Sequence, residues 1–108
     1  MSNHTKGRAW ARAVEVMLNG AGFHTHKRPL GEAGDDITAR RGDLELSVEA
    51  KNHKSITLAA FLDQAEGNAR SDQHAVVIAH RPGRASAEDG YVVMSAAGFM
   101  ALLDEAMS

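Results

Sequence analysis

The chain contains no cysteine, which excludes a disulfide framework and any thiolate metal site. It has only two prolines, and its ten glycines form no low-complexity stretch, so no linker divides it. No apolar run is long enough to span a membrane, and Met1-Ser2-Asn3-His4 lacks the apolar core of a signal peptide. The expectation is a cytoplasmic, intracellular protein with no membrane partner. Strong charge of one sign is also missing: the net charge is −2, which argues against a strong non-specific nucleic-acid binder. The distribution is uneven, however. Residues 1–54 hold nine Lys/Arg against seven Asp/Glu, and residues 55–108 hold three against seven, so positive charge gathers in the first half.

What is present reads as one folded domain over residues 1–108. Apolar residues make up 44% and charged residues 24%, ordinary globular values. A domain of this size buries roughly 60–70% of the surface its unfolded chain exposes. Trp10, Ala13, Val14, Met17, Leu18 and Ala21 recur at helical spacing, predicting a helix from near Thr5 that Gly20 and Gly22 stop. Trp10 is read as core rather than as a base-stacking platform. Phe23–Arg28 reads as a strand, followed by a loop marked by Pro29, Gly31 and Gly34. Asp36–Arg40 and Leu44–Lys51 read as strands flanking Gly42-Asp43, and Leu58–Arg70 as a helix capped by Thr57. Ala75–Ala79 is a short strand apolar throughout, suited to burial on both faces. After a loop over Arg81–Asp89, Tyr91–Met94 is a last strand, and Ser95 caps a third helix carrying Phe99, Leu102, Leu103 and Ala106. The order is α-β-β-β-α-β-β-α, an α/β fold with one mixed central sheet flanked by helices.

The register of the central hairpin follows from polarity. With Gly42-Asp43 as a two-residue loop, Arg40 faces Glu45, Ala39 faces Leu46, Thr38 faces Ser47, Ile37 faces Val48 and Asp36 faces Glu49. A three-residue loop would mix the two faces, so the two-residue reading is preferred. Ile37, Ala39, Leu46, Val48 and Ala50 then share the core face, and Asp36, Glu45, Glu49 and Lys51 the other. Opposed side chains have Cβ atoms about 4.5–5.5 Å apart, so Asp36 and Glu49 form a repulsive carboxylate pair that a divalent cation would relieve. Hard oxygen ligands suit Mg²⁺ or Mn²⁺. Lys51 lies about 6.6 Å further along the same face and can reach the same phosphate. The competing reading of these three residues is a solvated hairpin face.

Lys6-Gly7 opening an amphipathic helix, Gly22-Phe23 closing it, Asp36-Ile37-Thr38-Ala39 and Val48-Glu49-Ala50-Lys51 occur in one order and spacing. In these motifs the chain resembles the PD-(D/E)XK nuclease superfamily, and within it the small archaeal-type Holliday-junction resolvases and their viral relatives. The resemblance covers nearly the whole chain. It implies a restriction-endonuclease-like core and a homodimeric, Mg²⁺- or Mn²⁺-dependent deoxyribonuclease acting in DNA recombination, with four-way junctions as a substrate. Asp36 and Glu49 are its implied metal ligands, Lys51 the catalytic lysine, and Gln64 looks like the family's helix glutamine. Because its helix follows the strand of Glu49 and Lys51, Gln64 is expected to orient a metal-bound water or a ligand, against the alternative of a solvent-facing amide. Asp35 stands where the family often has proline, and the strand register favours Asp36 over it as the ligand. Ala11 stands where the first helix usually carries a glutamate. Glu15, one turn further on, either replaces it as catalytic residue and metal ligand or is a solvated helix residue. The alternatives within the fold are a general structure-specific or single-strand nuclease and a DNA-binding module that has lost activity; outside it stands a small α/β interaction domain.

Expected nucleic-acid contacts are Lys6, Arg8, Lys27, Arg28, His53, Lys54, Arg81 and Arg84, each against the alternative of an ordinary surface charge. His24 and His26 share a strand face, but without a third ligand they read as surface or phosphate-contacting histidines.

Overall fold

A computed structural model describes residues 3–29, 36–53 and 57–108; Gly31, Gly34, Asp35 and Lys54 lie outside the described residues. The elements run α1 (Asn3–Gly20), β1 (His24–Lys27), β2 (Ile37–Arg41), β3 (Leu44–Lys51), α2 (Leu58–Asn68), β4 (His74–Ala79), β5 (Tyr91–Val93) and α3 (Ala96–Ala106). One turn of 3₁₀ helix, Ala87–Asp89, interrupts the expected loop before β5.

The five strands form one sheet in sequential order. β1, β2 and β3 are antiparallel neighbours, β3 and β4 are parallel, and β5 returns antiparallel to β4. The hairpin register is the one derived from polarity, from Arg41 opposite Leu44 to Ile37 opposite Val48. A parallel pair needs a crossover, and α2 supplies it between β3 and β4.

The two helical layers take opposite faces. Trp10, Val14 and Leu18 repeat every four residues along α1 and pack on Ile37, Ala39, Val48, Val76 and Ile78. The buried Trp10 indole donates to the Ile78 carbonyl at 3.0 Å. On the other face Ala65 and Phe61 of α2 cover Val77 and Ala79. As expected, β4 is buried on both faces. α1 ends where Gly22, at φ +92°, lets the Phe23 N–H turn back to the Leu18 carbonyl at 3.0 Å.

Several expected element ends shift, the strand ends by one residue and the helices by more. α1 begins earlier than Thr5, at Asn3. α2 stops at Asn68 rather than Arg70, because Ala69 is extended and Arg70 leaves the helix to pair with Glu45 and Asp72. The third helix forms and the Ser95 hydroxyl caps it by accepting from the Gly98 N–H, yet it buries no residue fully, and Phe99 is 49% exposed. It lies beside β4.

Candidate active site

β3 is central, and its pleat sends alternate side chains to the two helical layers. Leu46, Val48 and Ala50 go to the α1 side, while Glu45, Ser47, Glu49 and Lys51 face α2. The solvated-face reading fails here, since Glu49 is 1% exposed. Crossover helix α2 lies over this face and supplies partners for it.

The partners follow from two repeats that match. A helix rises 1.5 Å per residue, so Gln64 and Asn68, four apart, stand about 6 Å apart on one face of α2. Glu49 and Lys51, two apart on a strand, are separated by nearly the same distance. The Asn68 side-chain amide donates to Glu49 Oε1 at 2.8 Å, and the Lys51 ammonium donates to Gln64 Oε1 at 2.8 Å. Lys51 Nζ also lies 4.0 Å from Glu49 Oε2 and 5.4 Å from the centre of the Phe61 ring. Gln64 therefore acts on the lysine rather than on the carboxylates. Sequence reasoning missed Asn68, although its spacing from Gln64 was the available signal. Further along the face, Arg70 and Gln73 both donate to Glu45. Between these pairs the buried Ser47 hydroxyl has no hydrogen-bond partner among the described residues.

Asp36 immediately precedes β2. Its Oδ2 accepts from the Ala50 N–H at 3.0 Å, which sets the carboxylate beside β3, and its Oδ1 accepts from Arg28 at 3.2 Å. Burial pushes the Glu49 carboxyl from its ordinary 4.5 up to about 7. The Asn68 hydrogen bond lowers it, the Asp36 charge raises it and the Lys51 charge lowers it. Thus Asp36, Glu49 and Lys51 converge at one end of the central strands.

Glu15 does not join them. Its carboxylate accepts from Arg12 at 3.0 Å and from the Thr25 hydroxyl at 3.3 Å. Thr25 pairs with Ala39, which is buried against α1, so Glu15 is engaged over β1 on the sheet face opposite Glu49. The replacement for the glutamate missing at Ala11 is not provided from that position. Among the described residues no group of three or more His, Asp or Glu side chains is arranged to hold a metal.

The expected phosphate contacts are scattered in role. Arg28 is tied to Asp36. The Arg81 guanidinium lies 5.7 Å from the centre of the Tyr91 ring, and the His53 ring packs 5.1 Å from that of Phe61, next to Lys51. Arg8, Lys27 and Arg84 are exposed, and Lys6 lines a cleft beside Trp10 and His80. His24 and His26 are exposed on β1.

No protein-family model matches the chain, and no curated protein does. Among solved structures it is similar to Hjc from Archaeoglobus fulgidus, a Holliday junction resolvase from an archaeal hyperthermophile. The two share 23% identity, and the match covers 88% of each chain with a TM-score of 0.60. A likeness over that much of both chains establishes a shared fold, the resolvase-type α/β fold that the sequence motifs led us to expect.

Proposed function

We propose that this resolvase-fold chain is a metal-dependent endonuclease that hydrolyses DNA phosphodiester bonds, with four-way junctions as its first substrate to test. One observation carries the reading: a buried glutamate and a neighbouring aspartate are held together beside a lysine at the end of the central strands.

The donor set fits a divalent cation. Glu49 is buried with its proton affinity raised, first by desolvation and further by the Asp36 charge, and a cation relieves both penalties. Asp36 and Glu49 would hold Mg²⁺ or Mn²⁺, which commonly bind through one or two carboxylates together with waters and substrate phosphates. The chemistry such an ion supplies is Lewis-acid polarisation of a phosphoryl oxygen and a water acidic enough to attack near neutral pH.

The chain's own groups do the remainder. Lys51, aimed by Gln64 and Phe61, carries positive charge to where negative charge grows on the phosphoryl group in the transition state. Arg28 and the Ala50 N–H fix the orientation of Asp36, while Asn68 fixes that of Glu49. Two such sites in a homodimer would address two strands of one junction.

The test is incubation with linear, nicked and four-way-junction DNA, with Mg²⁺ or Mn²⁺ and with chelator. Cutting is expected with metal, to be abolished by chelator, and to be lost in Asp36→Asn and in Glu49→Gln. Cleavage that survives chelation, or normal cutting by both variants, overturns the reading. Equal cutting of single-stranded or linear DNA would favour a general nuclease over a junction enzyme. A second reading, a DNA-binding module without activity, is favoured by the placement of Glu15 away from the carboxylate pair. Its signature is tight DNA binding with no metal-dependent cleavage of any substrate.

A further inference from the structure

Lys51 has a neighbour on the other side of the sheet. The His80 N–H donates to the Lys51 carbonyl at 2.7 Å, so the ends of β3 and β4 are tied together there. Lys51 points to α2, while Asn52, the next residue, lines a cleft of about 360 Å³ against α1 with Lys6, Trp10 and His80. The remaining wall is alanine, which leaves the floor small and uncharged.

The polar lining has no internal use. Lys6, Asn52 and His80 are half-buried, and among the described residues their side chains have no hydrogen bond or ion pair with the rest of the chain. Half-buried donors without partners leave their bonding capacity to a ligand or to water. A lysine ammonium, a side-chain amide and an imidazole, with no carboxylate in the wall, select an anion.

The recess is also held in shape. The His80 ring meets Trp10 edge-on, with centroids 5.0 Å apart and planes at 87°. Trp10 is anchored by its bond to the Ile78 carbonyl and by Gly90, where an added Cβ would come within 3.1 Å of the indole.

We propose that this cleft binds a phosphate of the DNA strand adjacent to the phosphate being cut, with Lys6, Asn52 and His80 as its contacts. The inference rests on the nuclease reading for the identity of the strand. A strand crossing the tied ends of β3 and β4 meets Lys51 on one face and this cleft on the other, so the second contact positions the first.

Trp10 is the sole tryptophan and lines the cleft, so its emission reports occupancy. The test uses the full chain in chelator, where cutting is absent, titrated with a short single-stranded oligonucleotide and separately with inorganic phosphate. The oligonucleotide is expected to change Trp10 emission at concentrations where inorganic phosphate does not. Lys6→Gln and Asn52→Leu, confirmed as folded by thermal melting, should lose that response. In duplex binding, Lys6→Gln should lower the slope of log affinity against log salt by about 0.9, the value for one phosphate contact. Arg40→Gln, an exposed hairpin charge, should leave the emission response unchanged. An unchanged Trp10 response and salt slope in both cleft variants overturns the inference, and metal-dependent cutting by the same variants would leave the nuclease reading standing. An equal response to inorganic phosphate overturns the assignment to DNA. The expected losses in a wild-type chain that binds DNA but cuts none would keep the cleft and remove the nuclease.

Discussion

At Glu49 the folded chain holds a carboxyl whose proton affinity differs from that of the same group unfolded. Its folded value of about 7 lies above the ordinary 4.5, so the folded form binds the proton more tightly. The associated stability is fully present below about 4.5 and is lost as pH rises through about 7, a swing on the order of 3 kcal/mol. Metal-free protein should therefore unfold at lower urea at pH 8 than at pH 5, and Glu49→Gln should flatten that difference. Equal pH sensitivity in the two proteins would show that Glu49 is not the source. The lysine gives a second expectation. Because Gln64 aims Lys51 without touching the carboxylates, the proposed function predicts that Gln64→Ala keeps the fold and any metal affinity while lowering the single-turnover rate, by roughly ten- to a hundredfold for a misplaced group. An unchanged rate would remove Gln64 from the positioning of the site. At this scale Asp36, Glu49 and Lys51 were legible because a period-two pattern assigns each residue a face. Arg28 was not, and Asn68 was signalled only by its four-residue spacing from Gln64, since their partners lie 8 and 19 residues away and become neighbours only in the folded chain.

The helix ends separate good capping residues from nominal ones. Ser95 accepts from the Gly98 N–H at 2.9 Å, whereas Thr57 makes no side-chain cap bond. Ser95→Ala should cost about 1 kcal/mol and Thr57→Ala only a few tenths, read from urea midpoints. Equal losses would contradict the cap assignment. Gly90 just before β5 is a packing constraint rather than a turn requirement. A Cβ there would sit 2.9 Å from the Ala79 carbonyl oxygen and 3.1 Å from that of Ala87. Backbone oxygens cannot move aside cheaply, so Gly90→Ala should destabilise by roughly 1–3 kcal/mol. A neutral substitution in the same assay would show that the strand entry yields. The elements themselves were mostly legible, with the hairpin register correct across its paired positions. The end misjudged at Asn68 lies where the ion pairs of Arg70 with Glu45 and Asp72 compete with helical periodicity.

For the molecule as a whole, the proposed function pairs two sites in one homodimer to cut two strands of a junction. Sedimentation of the wild-type chain is expected to give twice the chain mass, and a strict monomer that still resolves junctions would remove the homodimer from the proposal. No described helix is long and apolar enough to cross a membrane. The sequence by itself determined the element order, the strand register and the meeting of Asp36, Glu49 and Lys51, because each depends on local periodicity. Tertiary structure decided which layer covers each sheet face. Long-range packing set α2 over Glu49, gave that carboxyl an amide partner and a raised proton affinity, and left Glu15 over β1 on the opposite side. Those outcomes depend on which face of the sheet each helix is laid against, and local periodicity alone does not encode that.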